Sequence, residues 1–370
     1  MKYYIIAGEA SGDLHGANLI RALRAADPAA EFRFWGGDAM SLAAGSEPVR
    51  HIRDLAIMGL VEVAMHLRTV LGNIAYCKAD ILRWKPDVVV GIDYPGFALK
   101  IEAWAHDNHI KAVHYVSPQL WAWKKGRLKG MRRYLDRLCY ILPFEQDFYA
   151  ANQMPQATYV GHPLLDAIAG STFPAPTLPD DPRPIVALLP GSRKQELRRS
   201  LPIMARLAQR HADYRFVVAG MSLLGERLYR QLMPAGAEVE VVYDQTYNLL
   251  SVAHAAVVCS GTATLETALF HVPQVVCYRA NPITIAVARA IVGRHINHIA
   301  LVDLIDNSNV VTELLQGDFN LDRLDQEFQL IAYDEDNRQR MLDGYRRVEA
   351  LLGGPGASRR TAEAIIETIR

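Results

Sequence analysis

Two short turns in the second half of the chain carry the residue types of an anion site. Leu188-Leu189-Pro190-Gly191-Ser192-Arg193 ends one apolar run, and Cys259-Ser260-Gly261-Thr262-Ala263-Thr264-Leu265-Glu266 ends another. Each opens directly onto a helical pattern. Small residues at a strand-to-helix junction present backbone N–H groups and a helix N-terminus to negative charge, so two such turns at one sheet edge can hold a diphosphate without a metal. Arg193 sits just past the first turn, and Glu266 lies one helical turn into the second. A nucleoside diphosphate fits this pattern, with the guanidinium on the phosphates and the carboxylate on the ribose diol. Gly-Ser turns also end strands for steric reasons alone, so the pair in register says more than either member.

The first half holds a different chemistry. Val88-Val89-Val90-Gly91-Ile92 reads as a buried parallel strand, which puts Asp93 at its carboxyl end, where α/β domains carry functional groups. A carboxylate there can take the proton of an incoming hydroxyl. It can equally cap the helix that starts near Pro95. The first strand ends in Gly8-Glu9-Ala10-Ser11-Gly12-Asp13. Asp13 or Ser11 can cap the next helix, and Gly12 lets the backbone approach a ligand. His15 reads as a surface histidine or as a contact for an anionic sugar or phosphate. The dinucleotide pattern Gly-x-Gly-x-x-Gly is absent.

Charge gathers in one place. Between Val116 and Tyr134, Gln119, Trp121 and Trp123 stand beside Lys124, Lys125, Arg127, Lys129, Arg132 and Arg133, with no acid among them. Aromatic and basic residues together suit an anionic membrane surface or a phosphorylated lipid, and a solvated basic helix is the plain alternative. The apolar segment from Met58 to Leu67 opens a helical pattern toward Trp84. It reads as core or as the lining of a pocket for acyl chains.

These groups need elements to position them. Strand patterns fall at 2–7, 31–35, 87–92, 111–116, 137–141 and 157–160, then at 184–189, 214–219, 238–242, 255–259 and 273–277. Their alternation with amphipathic stretches predicts α/β domains with doubly wound parallel sheets. Ser171 to Pro184 holds five prolines and reads as a linker. The expected organisation is a domain over 1–170, the linker over 171–184 and a second domain over 185–352, with the domains facing across a cleft. The last helical pattern, within 353–370, follows Gly353-Gly354-Pro355-Gly356 and is expected to pack back on the first domain.

Composition bounds the rest. Forty Lys and Arg against forty Asp and Glu over 370 residues leave no global pull toward nucleic acid. Cys77, Cys139, Cys259 and Cys277 are scattered and read as reduced core thiols. No His/Cys cluster is evident, and neither a metal nor a cofactor is expected. The chain opens on a strand rather than a signal peptide, and no stretch reaches eighteen apolar residues.

At these residues the chain resembles the lipid-A-disaccharide synthase family. The likeness runs end to end through Ala7-Gly8-Glu9-Ala10-Ser11-Gly12-Asp13, Met58-Gly59-Leu60-Val61-Glu62-Val63, Gly91-Ile92-Asp93, Val116-Ser117-Pro118 with Trp121-Ala122-Trp123, Leu189-Pro190-Gly191-Ser192-Arg193, Ser260-Gly261-Thr262 with Glu266, and Glu313-Leu314-Leu315-Gln316. The resemblance implies a GT-B fold of two Rossmann-like domains. It also implies transfer of 2,3-diacylglucosamine from UDP to 2,3-diacylglucosamine 1-phosphate, giving a β-1,6-linked disaccharide 1-phosphate and UDP. The family's essential aspartate falls on Asp93 and its Gly-Ser-Arg arginine on Arg193. UDP is then expected on Gly191, Ser192, Arg193, Ser260, Gly261, Thr262 and Glu266. The acceptor or lipid is expected near Gly12, His15, Met58, Gln119, Trp121, Trp123, Lys124, Lys125 and Arg127. The expected partners are these substrates, an anionic membrane surface at the inner face of the inner membrane and, as one assembly consistent with the sequence, a homodimer. An epimerase of UDP-N-acetylglucosamine on the same fold, a transferase acting on another lipid-linked sugar and a non-catalytic nucleotide-sugar scaffold are the rival readings. One departure stands out: the family usually carries asparagine where this chain has Asp303. A carboxylate would repel a diphosphate. Either it does not touch the phosphates, or a cation such as Arg279, Arg289 or Arg294 compensates.

Overall fold

Unbroken aliphatic runs demand cover on both faces, which a parallel sheet flanked by helices supplies. The computed structural model describes residues 1–55, 67–121, 126–169, 171–279 and 298–370, and divides them into two compact units. The first comprises Met1–Ala169 with Leu352–Arg370, the second Gly170–Leu351.

The first unit's strands are β1 (Lys2–Ala7), β2 (Glu31–Gly36), β3 (Arg50–His51), β4 (Val88–Ile92), β5 (Lys111–Tyr115), β6 (Arg137–Tyr140) and β7 (Ala157–Tyr159). They form one parallel sheet in the order β3-β2-β1-β4-β5-β6-β7. Its helices are α1 (Ala10–Ala26), α2 (Asp38–Ala44), α3 (Leu67–Trp84), α4 (Ala98–Asp107), α5 (Arg127–Tyr134), α6 (Glu145–Ala151) and α7 (Pro163–Ile168). Every residue of β4 is buried.

The second unit repeats the plan with β8 (Ile185–Leu189), β9 (Arg215–Gly220), β10 (Val239–Tyr243), β11 (Ala253–Cys259), β12 (Gln274–Tyr278) and β13 (Thr312–Leu315). The order is β10-β9-β8-β11-β12-β13, again parallel. Its helices are α8 (Lys194–Leu207), α9 (Glu226–Leu232), α10 (Thr246–Leu250), α11 (Thr262–Leu269), α12 (Leu301–Asp306), α13 (Leu321–Ala332) and α14 (Glu335–Leu352).

Strand order reverses between β1 and β4 in one sheet and between β8 and β11 in the other. Chains leaving the two strands of such a pair diverge, and a crevice opens at their carboxyl ends. Gly8-Glu9 and Asp93 follow β1 and β4, while Gly191-Ser192-Arg193 and Ser260-Gly261 follow β8 and β11. Topology therefore sets each pair of motifs at one switch point.

Two edge strands escape the sequence pattern. β3 has two residues, and β13 begins Thr312-Glu313 and carries few apolar side chains. An edge strand needs no continuous apolar run. Residues 171–184 form no regular element and lie along the second unit, where the Phe173 and Pro174 carbonyls accept from Ser251 and Asn248 at 3.0 and 2.7 Å.

The final helix, α15 (Ala357–Ile369), belongs to the first unit and lies against α1 and α7. Its start is held by Asp166 of α7, whose carboxylate accepts the amides of Gly356, Ala357 and Ser358, the last two at 3.1 and 2.7 Å. Capping three orphan donors is stabilising. Asp166→Ala is expected to cost about 1–2 kcal/mol, read in a thermal melt as a Tm lowered by about 2–6 °C. An unchanged Tm would mean that the apolar face of α15 holds it alone.

Candidate functional site

At the first switch point the chain turns sharply after Ile92. Asp93 and Tyr94 both take left-handed backbone, φ 47° and 51°, which costs non-glycine residues on the order of 1 kcal/mol each. The turn is held from several sides. The Asp93 amide donates to the Tyr115 carbonyl at 2.9 Å, and the Tyr94 carbonyl accepts from Phe97 and Ala98 at 3.1 and 3.0 Å. The Tyr94 ring lies on the bare backbone of Gly8, where a Cβ would come within 2.3 Å. Asp93 does not cap α4, which starts five residues later with Phe97 as N-cap and no side-chain cap bond. Burial pushes its pKa above the ordinary carboxylate value, opposed by the charge of His114 and the Tyr94 amide. Such a carboxylate is a better proton acceptor than a solvated one.

The neighbouring loop is strained as well. Val116, just past β5, has φ 64°, an outlier for a β-branched residue. Beneath it, Ser117 hydrogen-bonds Tyr149, and the buried Glu145 accepts the Leu142 amide at 3.2 Å. Burial pushes the Glu145 pKa up to about 8, so it is largely protonated at neutral pH. Sequence reading passed over Glu145. Its signal was an acid opening the helix that follows β6.

Other residues of this unit take structural positions. Asp13 does not cap α1; it accepts the amides of Gly37, Ala39 and Met40 at 2.6, 3.0 and 3.1 Å and so tethers α2. The start of α1 has Glu9 as N-cap without a side-chain cap bond, so neither Ser11 nor Asp13 has the expected capping role. Gly12 lets α1 approach the sheet, since a Cβ there would meet Ala7 Cβ at 3.3 Å. His15 is buried rather than a surface residue, and burial lowers its pKa to about 4, leaving a neutral ring with no charge for a phosphate. Trp121 packs edge-on against Phe144, ring centroids 5.1 Å apart. Gln119 is exposed, and Arg127 opens α5, which buries Leu128 and Met131 and exposes Lys129 and Arg133. Met58, Trp123, Lys124, Lys125, Arg289 and Arg294 lie outside the described residues.

At the second switch point the two turns differ. Gly191 adopts φ 106°, and the amides of Ser192 and Arg193 donate to Glu196 Oε2 at 3.2 and 3.3 Å. The chain's own carboxylate sits where a phosphate was expected, because a helix N-terminus attracts an anion and the third residue of α8 supplies one. Arg193 is exposed and lies 3.8 Å from Glu196. The start of α11 has neither a side-chain cap nor an acid in its first turn. Gly261 there has φ 156°, ψ −160°, a conformation reserved to glycine, with open space around it. Glu266 accepts from the Tyr247 hydroxyl at 2.9 Å, and burial raises its pKa. An open pocket of about 570 Å³ lies at the same sheet edge, lined by Arg198, Arg199 and Arg279 with Pro202, Ile203, Gln316 and Gly317. Arg198 and Arg199 are neighbours on α8 and Arg279 follows β12, so only the fold brings the third to the first two.

A family model of lipid-A-disaccharide synthetases matches residues 3–367. The chain belongs to that family. The curated lipid-A-disaccharide synthase of Geobacter metallireducens is 35% identical over 99% of this chain and 96% of its own length. That of Acidobacterium capsulatum is 37% identical over 96% and 92%. Among solved structures, the glycotransferase of kitacinnamycin superposes with TM-score 0.68 at 18% identity, covering 100% of this chain and 99% of its own. UDP-GlcNAc 2-epimerase from Neisseria meningitidis, bound to UDP-GlcNAc, gives TM-score 0.68 at 14% identity over 99% and 100%. The fold is GT-B, and the synthase family makes the chain a glycosyltransferase.

Within this synthase family frame, Asp303 finds a structural explanation. It is fully buried, and its Oδ1 accepts the amides of Val310 and Val311 at 2.8 and 3.1 Å. His298 Nδ1 lies 3.8 Å from Oδ2. Among the described residues the basic group beside Asp303 is a histidine; Arg279 is exposed and lines the arginine pocket. Among the described residues, His298, Asp303 and Glu313 form the group whose atoms could hold a metal, all within 4.8 Å. Glu313 Oε1, however, already accepts the amides of Ile299 and Ala300 at 2.9 and 2.6 Å. Burial, with the charges of Glu313 and Asp306, pushes the Asp303 pKa from 3.8 to about 7. The native acid keeps its proton in a range where the unfolded one has lost it, so this stabilisation is full below 3.8 and lost as pH rises through about 7. Asp303→Asn keeps the acceptor and cannot ionise. It should nearly match the wild type at pH 4 and melt several degrees higher at pH 8, since a shift of this size is worth up to about 4 kcal/mol there. A Tm difference independent of pH would disprove the linkage.

Proposed function

We propose that the chain transfers 2,3-diacylglucosamine from UDP to the 6-hydroxyl of 2,3-diacylglucosamine 1-phosphate by direct displacement with inversion. The products are the β-1,6 disaccharide 1-phosphate and UDP. The observation that carries this reading is Asp93: a strained, largely buried carboxylate with a raised pKa at a switch point, in a chain of the synthase family. In this mechanism Asp93 takes the proton of the acceptor hydroxyl as it attacks the anomeric carbon. The bond to the UDP oxygen breaks, and negative charge grows on the diphosphate. Glu196 already occupies the Ser192 and Arg193 amides. The leaving diphosphate therefore belongs on the open start of α11, with Arg193 reaching it and Glu266 holding the ribose. The nearby arginine pocket adds positive potential at the same edge.

The epimerase alternative shares the fold, but its solved examples are 12–14% identical against 35–37% for the curated synthases. Diacylated substrates also account for the basic, tryptophan-bearing segment, which a soluble sugar does not need. No helix among the described residues is long and apolar enough to cross a membrane. Contact with the membrane is accordingly proposed as peripheral, through this segment.

The deciding experiment incubates the protein with both substrates in EDTA and looks for the disaccharide and UDP. Their absence would remove the reading; product only after adding Mg²⁺ would remove its metal-free form. Asp93→Asn should lower turnover by about 10²–10⁴-fold with UDP affinity intact by calorimetry; near-normal turnover excludes Asp93 as the base. Arg193→Ala should weaken UDP binding and slow transfer together, by about tenfold or more. Unchanged UDP affinity and rate would assign Arg193 to its contact with Glu196.

A further inference from the structure

Behind Asp93 lies a pair of ionisable side chains with no exposure at all. His114 of β5 sets Nδ1 2.8 Å from Oε1 of Glu102 on α4, and both side chains are 0% exposed. His114 stands opposite Gly91 in the β4–β5 register. Opposed residues of neighbouring strands share a face of the sheet. Glu102 fills the space that Gly91 leaves, since a Cβ there would come within 2.1 Å of its Oε1. The pair therefore sits over the end of β4, two residues before Asp93. Its remaining polar atoms, His114 Nε2 and Glu102 Oε2, are buried without hydrogen-bond partners among the described residues.

A buried ion pair stabilises a fold little better than apolar side chains of the same size. Two orphaned atoms make this one costlier still. The groups facing it are Tyr134 from α5 and Asp93 from the end of β4, with Glu9 beside Tyr94 across the turn. Among the described residues His114 is the group whose charge favours an ionised Asp93.

We propose that Glu102 and His114 are a positioning couple for Asp93: the Glu102 carboxylate fixes and charges the imidazole, and that charge keeps Asp93 ionised for proton abstraction. No bond is made or broken in the couple itself. The inference rests on Asp93 being the base.

The test is the pH profile of kcat/KM for the whole protein, wild type against Glu102→Gln and His114→Gln, with Asp93→Asn as anchor. Activity rises with pH as Asp93 loses its proton. Removing the positive charge behind it moves that acid limb upward by about one pH unit, a tenfold loss on the limb that recovers at higher pH. UDP affinity, measured by calorimetry, should not change. A limb that stays in place, whether or not the rate falls, overturns the couple. Glu102→Gln is isosteric and keeps an acceptor for Nδ1–H, so it decides the matter if His114→Gln does not fold. Unfolding of both variants by circular dichroism assigns the pair to core stability and also overturns the proposal. An active Asp93→Asn removes the base, and the couple with it. An inactive Asp93→Asn with unmoved limbs removes the couple alone.

Discussion

Cover on both faces governs this molecule. Strands such as Val88–Ile92 have no exposed side, so polar side chains that must meet ligand are squeezed to the carboxyl edge. There the ladder runs out, and the backbone can turn toward solvent. The reversal of strand order then selects which part of that edge is open. Asp93 in one unit and Ser260-Gly261 in the other owe their positions to this topological fact more than to any local preference.

The same constraint explains where strain collects. Asp93, Tyr94 and Val116 all follow the last residues of buried strands and all have positive φ. Two are pinned by a bond to a neighbouring strand, Asp93 to the Tyr115 carbonyl and Val116 to the Cys139 carbonyl, and Tyr94 is held by the amides of Phe97 and Ala98. The packed sheet is rigid enough to hold a few kcal/mol of unfavourable backbone. A solvated loop would relax it.

The fold class was open to reading because its main signal is periodic. Ten-residue windows around Val88 or Val257 alternate between buried strand and amphipathic helix with little ambiguity. β13 was missed because Thr312 and Glu313 break the apolar run, and an edge strand is recognised by its partner rather than by its own residues. At the site, Asp93 could be found because it follows a strand directly. Glu196 was missed although an acid three residues after Arg193 has capping-box spacing, because the turn was read for an external anion and not for the chain's own carboxylate. Glu102 and His114 lie on different elements, and Arg279 is far in sequence from Arg198 and Arg199; these groups meet only through the fold. Asp303 read as an anomaly because residue identity was compared without its burial; inside the protein it is a cap for two amides.

The helix α15 carries a consequence for biosynthesis. It completes the first unit, against α1, β5 and β6, yet it is translated after the whole of residues 170–351. At about 5–20 residues per second, the ribosome leaves the nascent first unit unsealed for on the order of ten to forty seconds. The second unit, contiguous in sequence, can mature in that interval. The first waits with apolar surface uncovered, and is the portion of the newborn chain that a chaperone would shield.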